Sequence, residues 1–169
     1  MVFRTLARLT GERGQLDDLA QEVFLRLLRG SRSFQGRAKI TTYLYQIIVN
    51  VVRDEWERKR RARQHVSIDE KEAHWEDRLP VSSTDPGEVI DRRQLLGAVE
   101  EAMGQLSLQD RTILVLYHQE EESYEQIAAV LGLPLGTVKT NLHRARVRLR
   151  AAMGEWVEAC RMSTSVASG

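Results

Sequence analysis

The sequence predicts an all-α chain: two small helical domains joined by a linker, the C-terminal one containing a helix-turn-helix. Three observations carry the prediction. Apolar residues recur at helical spacing in one segment after another, and two of those segments flank a short Gly/Pro turn. Charge is also divided along the 169 residues, although the net value is only +1. Positions 1–64 hold fourteen Lys/Arg against seven Asp/Glu (+7), positions 65–122 five against fourteen (−9), and positions 123–169 six against three (+3). Two basic blocks around an acidic stretch suit two nucleic-acid contacts joined by a segment that avoids DNA.

Residues 16–28 form an amphipathic helix. Leu16, Leu19, Ala20, Val23, Phe24, Leu27 and Leu28 make its apolar stripe, while Asp17, Asp18, Gln21, Glu22 and Arg26 face away. Asp17 and Asp18 suit the positive end of the helix dipole, and Glu22 can pair with Arg26 one turn on. Residues 30–39 read as a basic loop around Phe34. A long helix follows from Thr41 or Thr42 to about Arg61, with Leu44, Ile47, Ile48, Val51 and Val52 as its core stripe. Its end carries the run Arg58, Lys59, Arg60, Arg61. Two readings of this segment stay open. Its cations could follow phosphates while its tyrosines receive unstacked bases, as in single-stranded DNA binding. Alternatively, Tyr43 and Tyr45 are core aromatics and the basic run is a solvated helix end.

Positions 65–90 form an acidic linker, with turn formers clustered from Pro80 to Gly87. Helices resume over 91–103 and 108–118, the second capped by Ser107. Leu95, Leu96, Val99, Met103, Leu106, Ile113, Leu114 and Leu116 supply a core. Over 122–149 the pattern is sharper. Ser123 and Gln126 have capping-box spacing, Gly132 is a helix-stopping residue, and Pro134 punctuates the turn. The helix after it buries Val138, Leu142, Ala145 and Leu149, leaving Lys139, Thr140, His143, Arg144, Arg146 and Arg148 largely outside. Short donors near a helix start with basic residues further along suit a helix entering the major groove. Beyond Met153 the chain reads as a small polar tail.

Other classes are poorly supplied. Cys160 stands alone, which leaves no internal disulfide and no thiolate metal site. The four histidines lack ligand spacing, so no metal and no cofactor is expected. No phosphate loop, nucleophile elbow or two-histidine zinc motif points to an enzyme. With no membrane-spanning run and no signal-peptide core, a cytoplasmic protein is expected.

Together these residues resemble the extracytoplasmic-function (ECF) class of bacterial RNA polymerase sigma factors. DLAQEVFLRLL (18–28) is similar to the family's polymerase-contacting helix, and FQGRAKITTYLYQIIVNVVRDEWERKRR (34–61) resembles its melting and minus-ten segment. QLSLQDRTILVLYH and SYEQIAAVLGLPLGTVKTNLHRARVRLR look like its minus-thirty-five domain. The resemblance implies a region 2-like domain at 1–64, an acidic linker at 65–90, a region 4-like domain at 91–153 and a tail at 154–169. It makes Asp18, Gln21 and Glu22 contacts to the clamp helices of the large subunit of core RNA polymerase. Phe34, Arg37, Lys39, Tyr43, Asn50, Arg53, Arg58 and Arg60 become the minus-ten and melting set. Thr137, Lys139, Thr140, His143, Arg144 and Arg146 become the minus-thirty-five set. Promoter DNA, double- and single-stranded, is the implied ligand, opened without ATP. An anti-sigma factor is an implied partner, and the chain itself is not membrane-inserted.

The chain departs from the family pattern at Arg37, where an acidic or small residue is common, at Thr41, often basic, and at Tyr43, often Trp. Asn141 stands where Arg is frequent. The chain also begins inside the family's first helical hairpin, so the first domain is expected to be marginal alone. A conventional helix-turn-helix regulator, binding duplex operators as a dimer, would explain 123–149 equally well but not the aromatic, basic first domain. A helical adaptor or sigma mimic is a third reading.

Overall fold

The computed structural model describes residues 1–11, 14–31, 36, 39–65 and 92–166. Phe34, Arg37 and positions 66–91, which hold the expected linker except His65 at the end of a helix, lie outside the described residues. The described residues form seven helices and no strand, as expected of an all-α chain. They are α1 (Val2–Thr10), α2 (Leu16–Ser31), α3 (Ile40–His65), α4 (Arg92–Gln105), α5 (Leu108–His118), α6 (Tyr124–Leu131) and α7 (Leu135–Val166).

Local chemistry sets the helix ends. Gly11 closes α1 in a left-handed conformation (φ 70°), its N–H returning to the Ala7 carbonyl. The Ser107 hydroxyl accepts from the Asp110 amide at 3.1 Å and starts α5. At α6 both halves of the Ser123/Gln126 capping box are present, and Gly132 (φ 64°) ends the helix. The motif is therefore built as its residues dictate.

In the first half, α1, α2 and α3 pack together around Leu6, Leu9, Leu19, Val23, Ile48 and Val52. In the second, α7 packs on α4, α5 and α6, with Ile113, Leu116, Ile127, Val138 and Leu142 inside. The halves also meet: α1 lies on α5, and α3 lies on α6. Arg111 ties this junction. It is 4% exposed, and its guanidinium donates to the carbonyls of Leu9 (2.8 Å), Met103 (2.9 Å) and Gly104 (2.9 Å). These carbonyls belong to the last turns of α1 and α4, where helix dipoles place negative potential. Burial lowers the Arg111 pKa from its ordinary value, yet three charge-assisted bonds hold the cation in place.

Three expectations change. Phe24 and Leu28 are exposed, because Leu19, Ala20 and Val23 already fill the inner side of α2. Leu95 and Leu96 are exposed too; α4 leans chiefly on α7 and covers only a narrow strip around Ala98 and Ala102. The helix expected to stop near Met153 continues as α7 to Val166, through Ala, Glu, Arg and Met residues that favour helix.

Replacing Arg111 by Leu strands three carbonyls and is expected to destabilise the fold by about 2–4 kcal/mol. Lys, a single point donor, should recover little of the loss. Urea unfolding of the variants against the unsubstituted chain measures both.

Candidate nucleic-acid interface

Three surfaces collect the residues singled out in the sequence. The first is the outer side of α2. Asp18 and Gln21 are exposed, and Glu22 is half-buried, accepting from Arg26 at 2.6 Å. Arg26 also reaches across to Asp54 of α3 at 2.7 Å, and both carboxylates raise its pKa, the Glu22 hydrogen bond most. A groove between α2 and α3 is lined by Asp18, Glu22, Arg26, Asp54, Glu55 and Arg58. Beside Gln21, Phe24, Leu25 and Leu28 expose apolar area on the same helix. An acidic groove edged by exposed apolar side chains has the chemistry that suits a protein surface better than a polyanion. Asp54, Phe24 and Leu28 thus join the candidate surface, which hydrophobic periodicity alone conceals.

The second surface is the outer side of α3. Asn50, Arg53 and Arg60 are exposed, and helical spacing sets them along one side with half-buried Tyr43 two turns before Asn50. Lys39 is exposed just ahead of the helix, its carbonyl accepting from the Tyr43 amide at 3.2 Å. Tyr43 rests against α2 at Gly30, where a Cβ would lie 1.9 Å from the tyrosine hydroxyl. Gly30 therefore leaves the notch that the ring occupies. Arg58 sits apart from this set. Its guanidinium forks onto buried Glu55 with two bonds of 2.8 Å, on the groove side of the helix. Tyr45 separates from Tyr43 as well: it is 3% exposed and donates to Glu120 at 2.9 Å.

The third surface lies on α7, the second helix of the motif. Val138, Leu142 and Ala145 are buried and fix its roll, so Lys139, Thr140, His143, Arg144 and Arg146 emerge together. Thr137 is half-buried at the helix start. The Thr140 hydroxyl donates back to the Gly136 carbonyl at 3.0 Å, which leaves its oxygen lone pairs outward. Val147, exposed on the same side, adds an apolar contact suited to a thymine methyl. Arg148 is held by buried Asp110.

Two aromatic residues order this basic surface. The Arg146 guanidinium lies 5.0 Å over the Tyr117 ring, Tyr117 stacks on Tyr124 (5.2 Å, 21°), and the Lys139 ammonium lies 5.7 Å from the Tyr124 ring. The cations at the two ends of this ladder are both in the expected minus-thirty-five set. Arg146 Nε also donates to His118 Nε2 at 3.1 Å, which requires that nitrogen to be unprotonated. Burial, then the Arg146 charge, lowers the His118 pKa. Among the described residues no group of His, Cys, Asp and Glu is placed to hold a metal ion. Nor is any described helix long and apolar enough to cross a membrane.

This division of labour has counterparts. Residues 1–62 match the family model described as Sigma-70 region 2, and residues 96–149 match Sigma-70, region 4. The RNA polymerase sigma factor YlaC of Bacillus subtilis is 32% identical over 90% of this chain and 85% of its own length. The ECF RNA polymerase sigma factor SigM of Mycobacterium tuberculosis is 33% identical over 88% of this chain and 70% of its own. Against SigE of Mycolicibacterium smegmatis, 32% identical, the chain spans 56% of the relative's length. The fold is like that of the sigma factor RpoE of Bartonella quintana, solved with the anti-sigma factor NepR (TM-score 0.68, 21% identity, 90% of this chain and 89% of that one). These matches define an RNA polymerase sigma factor of the sigma-70 type. Within that class, the chain belongs to the ECF family.

Acid should loosen the ladder. Below the ordinary His118 pKa of about 6.5 the unfolded chain binds the proton more readily, so this contribution is complete above that pH and falls below it. Thermal melts from about pH 7 to about pH 5 should fall more steeply for the unsubstituted chain than for His118→Gln.

Proposed function

We propose that this chain binds core RNA polymerase, reads the minus-ten and minus-thirty-five elements and promotes DNA opening, acting by binding and not by bond chemistry. The observation that carries the reading is the separation of three chemically different surfaces on one chain. The α2 groove, acidic with an apolar edge, is matched to a basic clamp surface on the polymerase. Asp18, Gln21 and Glu22 lie there, and Asp54, Phe24 and Leu28 extend the contact. Arg58 serves this groove more naturally than DNA, since Glu55 already engages its fork.

Lys39, Tyr43, Asn50, Arg53 and Arg60, with Phe34 and Arg37, take the minus-ten element. Unstacking a base costs a few kcal/mol, and stacking on an aromatic ring returns about 1–3 kcal/mol, so opening needs no ATP. Thr137, Lys139, Thr140, His143 and Arg144 meet minus-thirty-five bases and phosphates, while Arg146, held by the ladder, faces the backbone. Residues 1–64 act as the region 2-like unit, 65–90 as linker and 91–153 as the region 4-like unit, with 154–169 beyond it. An anti-sigma factor is the expected regulator, as in the RpoE–NepR complex and the complex of CnrH with the cytosolic domain of CnrY. Work on promoter DNA places the chain in the cytoplasm. A conventional dimeric regulator would leave both surfaces of the first half without a purpose.

Transcription from randomised promoter templates, with and without the chain, tests the proposal. Discrete starts preceded by two spaced motifs should require the chain, and the double variant Asp18→Ala, Gln21→Ala should lose them. Core polymerase that gains no starts would refute it.

The Gly30 notch gives a finer test. Gly30→Ala favours the helix intrinsically by about 1 kcal/mol, so it should not melt α2, yet it displaces the Tyr43 ring. Opening, followed by 2-aminopurine fluorescence in the minus-ten element, should fall roughly tenfold, the scale of one lost base stack. Adding Tyr43→Phe removes the clashing hydroxyl and should recover part of the loss.

A further inference from the structure

The outward side of α7 is not uniform. Buried Val138, Leu142 and Ala145 point inward, and at 3.6 residues per turn the line opposite them runs through Thr140 and Val147, seven residues apart. Donors and cations occupy both flanks of that line. Lys139, His143, Arg146 and Arg150, all exposed and spaced by four, three and four residues, form one row, and Arg144 stands on the other side. The aromatic ladder secures two members of the row, Lys139 and Arg146. Arg150 carries it one turn past the expected minus-thirty-five set, level with Val147.

Val147 is the odd member of this face. It is 51% exposed, and a β-branched residue favours helix less than the alanine, leucine and arginine residues around it. A protein partner would need contiguous apolar area, whereas cations flank this valine on both sides. Two flanks of positive charge suit the two phosphate strands that border a major groove, which turns the middle line toward the groove floor. That floor presents donors, acceptors and one apolar group, the C5 methyl of thymine. Against any other base edge the valine would strip water from a polar atom and return no hydrogen bond. Thymine alone offers it a matching surface.

Helix rise sets where that thymine falls. Seven residues advance about 10.5 Å along α7. Base pairs rise about 3.4 Å each, so Val147 stands up to about three pairs from the pair that Thr140 faces.

We infer that Val147 is a specificity-determining residue, selecting a T·A pair at one edge of the minus-thirty-five element through the thymine methyl. The assignment rests on the minus-thirty-five reading of α7, and its test separates the two.

Core polymerase carrying the full chain is bound to a responsive promoter in which each thymine in or beside the minus-thirty-five element is replaced, one at a time, by deoxyuridine. Uracil lacks only the methyl group. At one position the replacement should weaken binding about fourfold, the scale of one buried methyl. Val147→Ala, which favours the helix, should show that loss already on thymine and lose nothing further on uracil. Val147→Ile should keep the sensitivity. At the same position 5-methylcytosine should bind the unsubstituted chain better than cytosine does, and Val147→Ala should not tell them apart. The slope of log affinity against log salt should be equal for the two chains, since Val147 meets no phosphate. Equal uracil sensitivity of both chains at every position, or a shallower salt slope for Val147→Ala, would overturn the assignment. If Lys139→Ala and Arg144→Ala still abolish sequence preference in that case, the minus-thirty-five reading stands without it. A chain that gives core polymerase no preference for any sequence in this element would refute the reading and the assignment together.

Discussion

A carboxylate removed from water must find donors, and Glu120 finds them all across the chain. Tyr45, Thr5, Arg4 and Arg8 come from α1 and α3, so the carboxylate is satisfied only while the two halves are docked. Arg111 makes the reciprocal demand. A buried cation of the second half, it takes one of its three carbonyls from Leu9 in the first. Much of the junction is therefore polar and directional, unlike the apolar interiors on either side. Such a contact is strong when complete and weak once charged competitors reach it.

Each working surface depends on what lies behind it. The roll of α7 is set by Val138, Leu142 and Ala145, and only that roll brings Lys139, Thr140, His143 and Arg144 out together. The aromatic ladder then limits the freedom of Lys139 and Arg146, so less side-chain entropy would remain to be lost if they meet DNA as proposed. The same logic places Tyr43, whose ring is seated by the absence of a side chain at Gly30. On α2 the arrangement reverses. A fully buried stripe would leave no apolar area on the outer face, and Phe24 and Leu28 expose it, which suits the proposed partner contact.

What could be read in the sequence follows the range of the physics. Ser107, Ser123, Gln126 and Gly132 act within a few residues, the first three starting their helices and Gly132 ending one, as expected. The stripe Ile47, Ile48, Val51, Val52 was equally legible, because periodicity records burial whatever the partner. Periodicity does not record how wide the covering partner is, so Phe24, Leu28, Leu95 and Leu96 passed for core. Glu120 with Arg4 and Arg111 with Leu9 join positions more than a hundred residues apart, and nothing local marks them. The tyrosine pair 117 and 124 flanks a turn, and only the fold stacks it. Among the site residues, Arg58 was read from its place in a basic run, whereas the helix turns it toward Glu55.

The central claim is that one chain gives polymerase two promoter contacts and an opened strand at the downstream one. A permanganate and hydroxyl-radical footprint on a responsive promoter, with core polymerase and chain but no nucleoside triphosphate, tests it most directly. The account predicts protection at two elements about 25 base pairs apart, with reactive unstacked thymines at the downstream one. Protection of a single two-fold symmetric duplex site by the chain alone, with no reactive thymines, would contradict it.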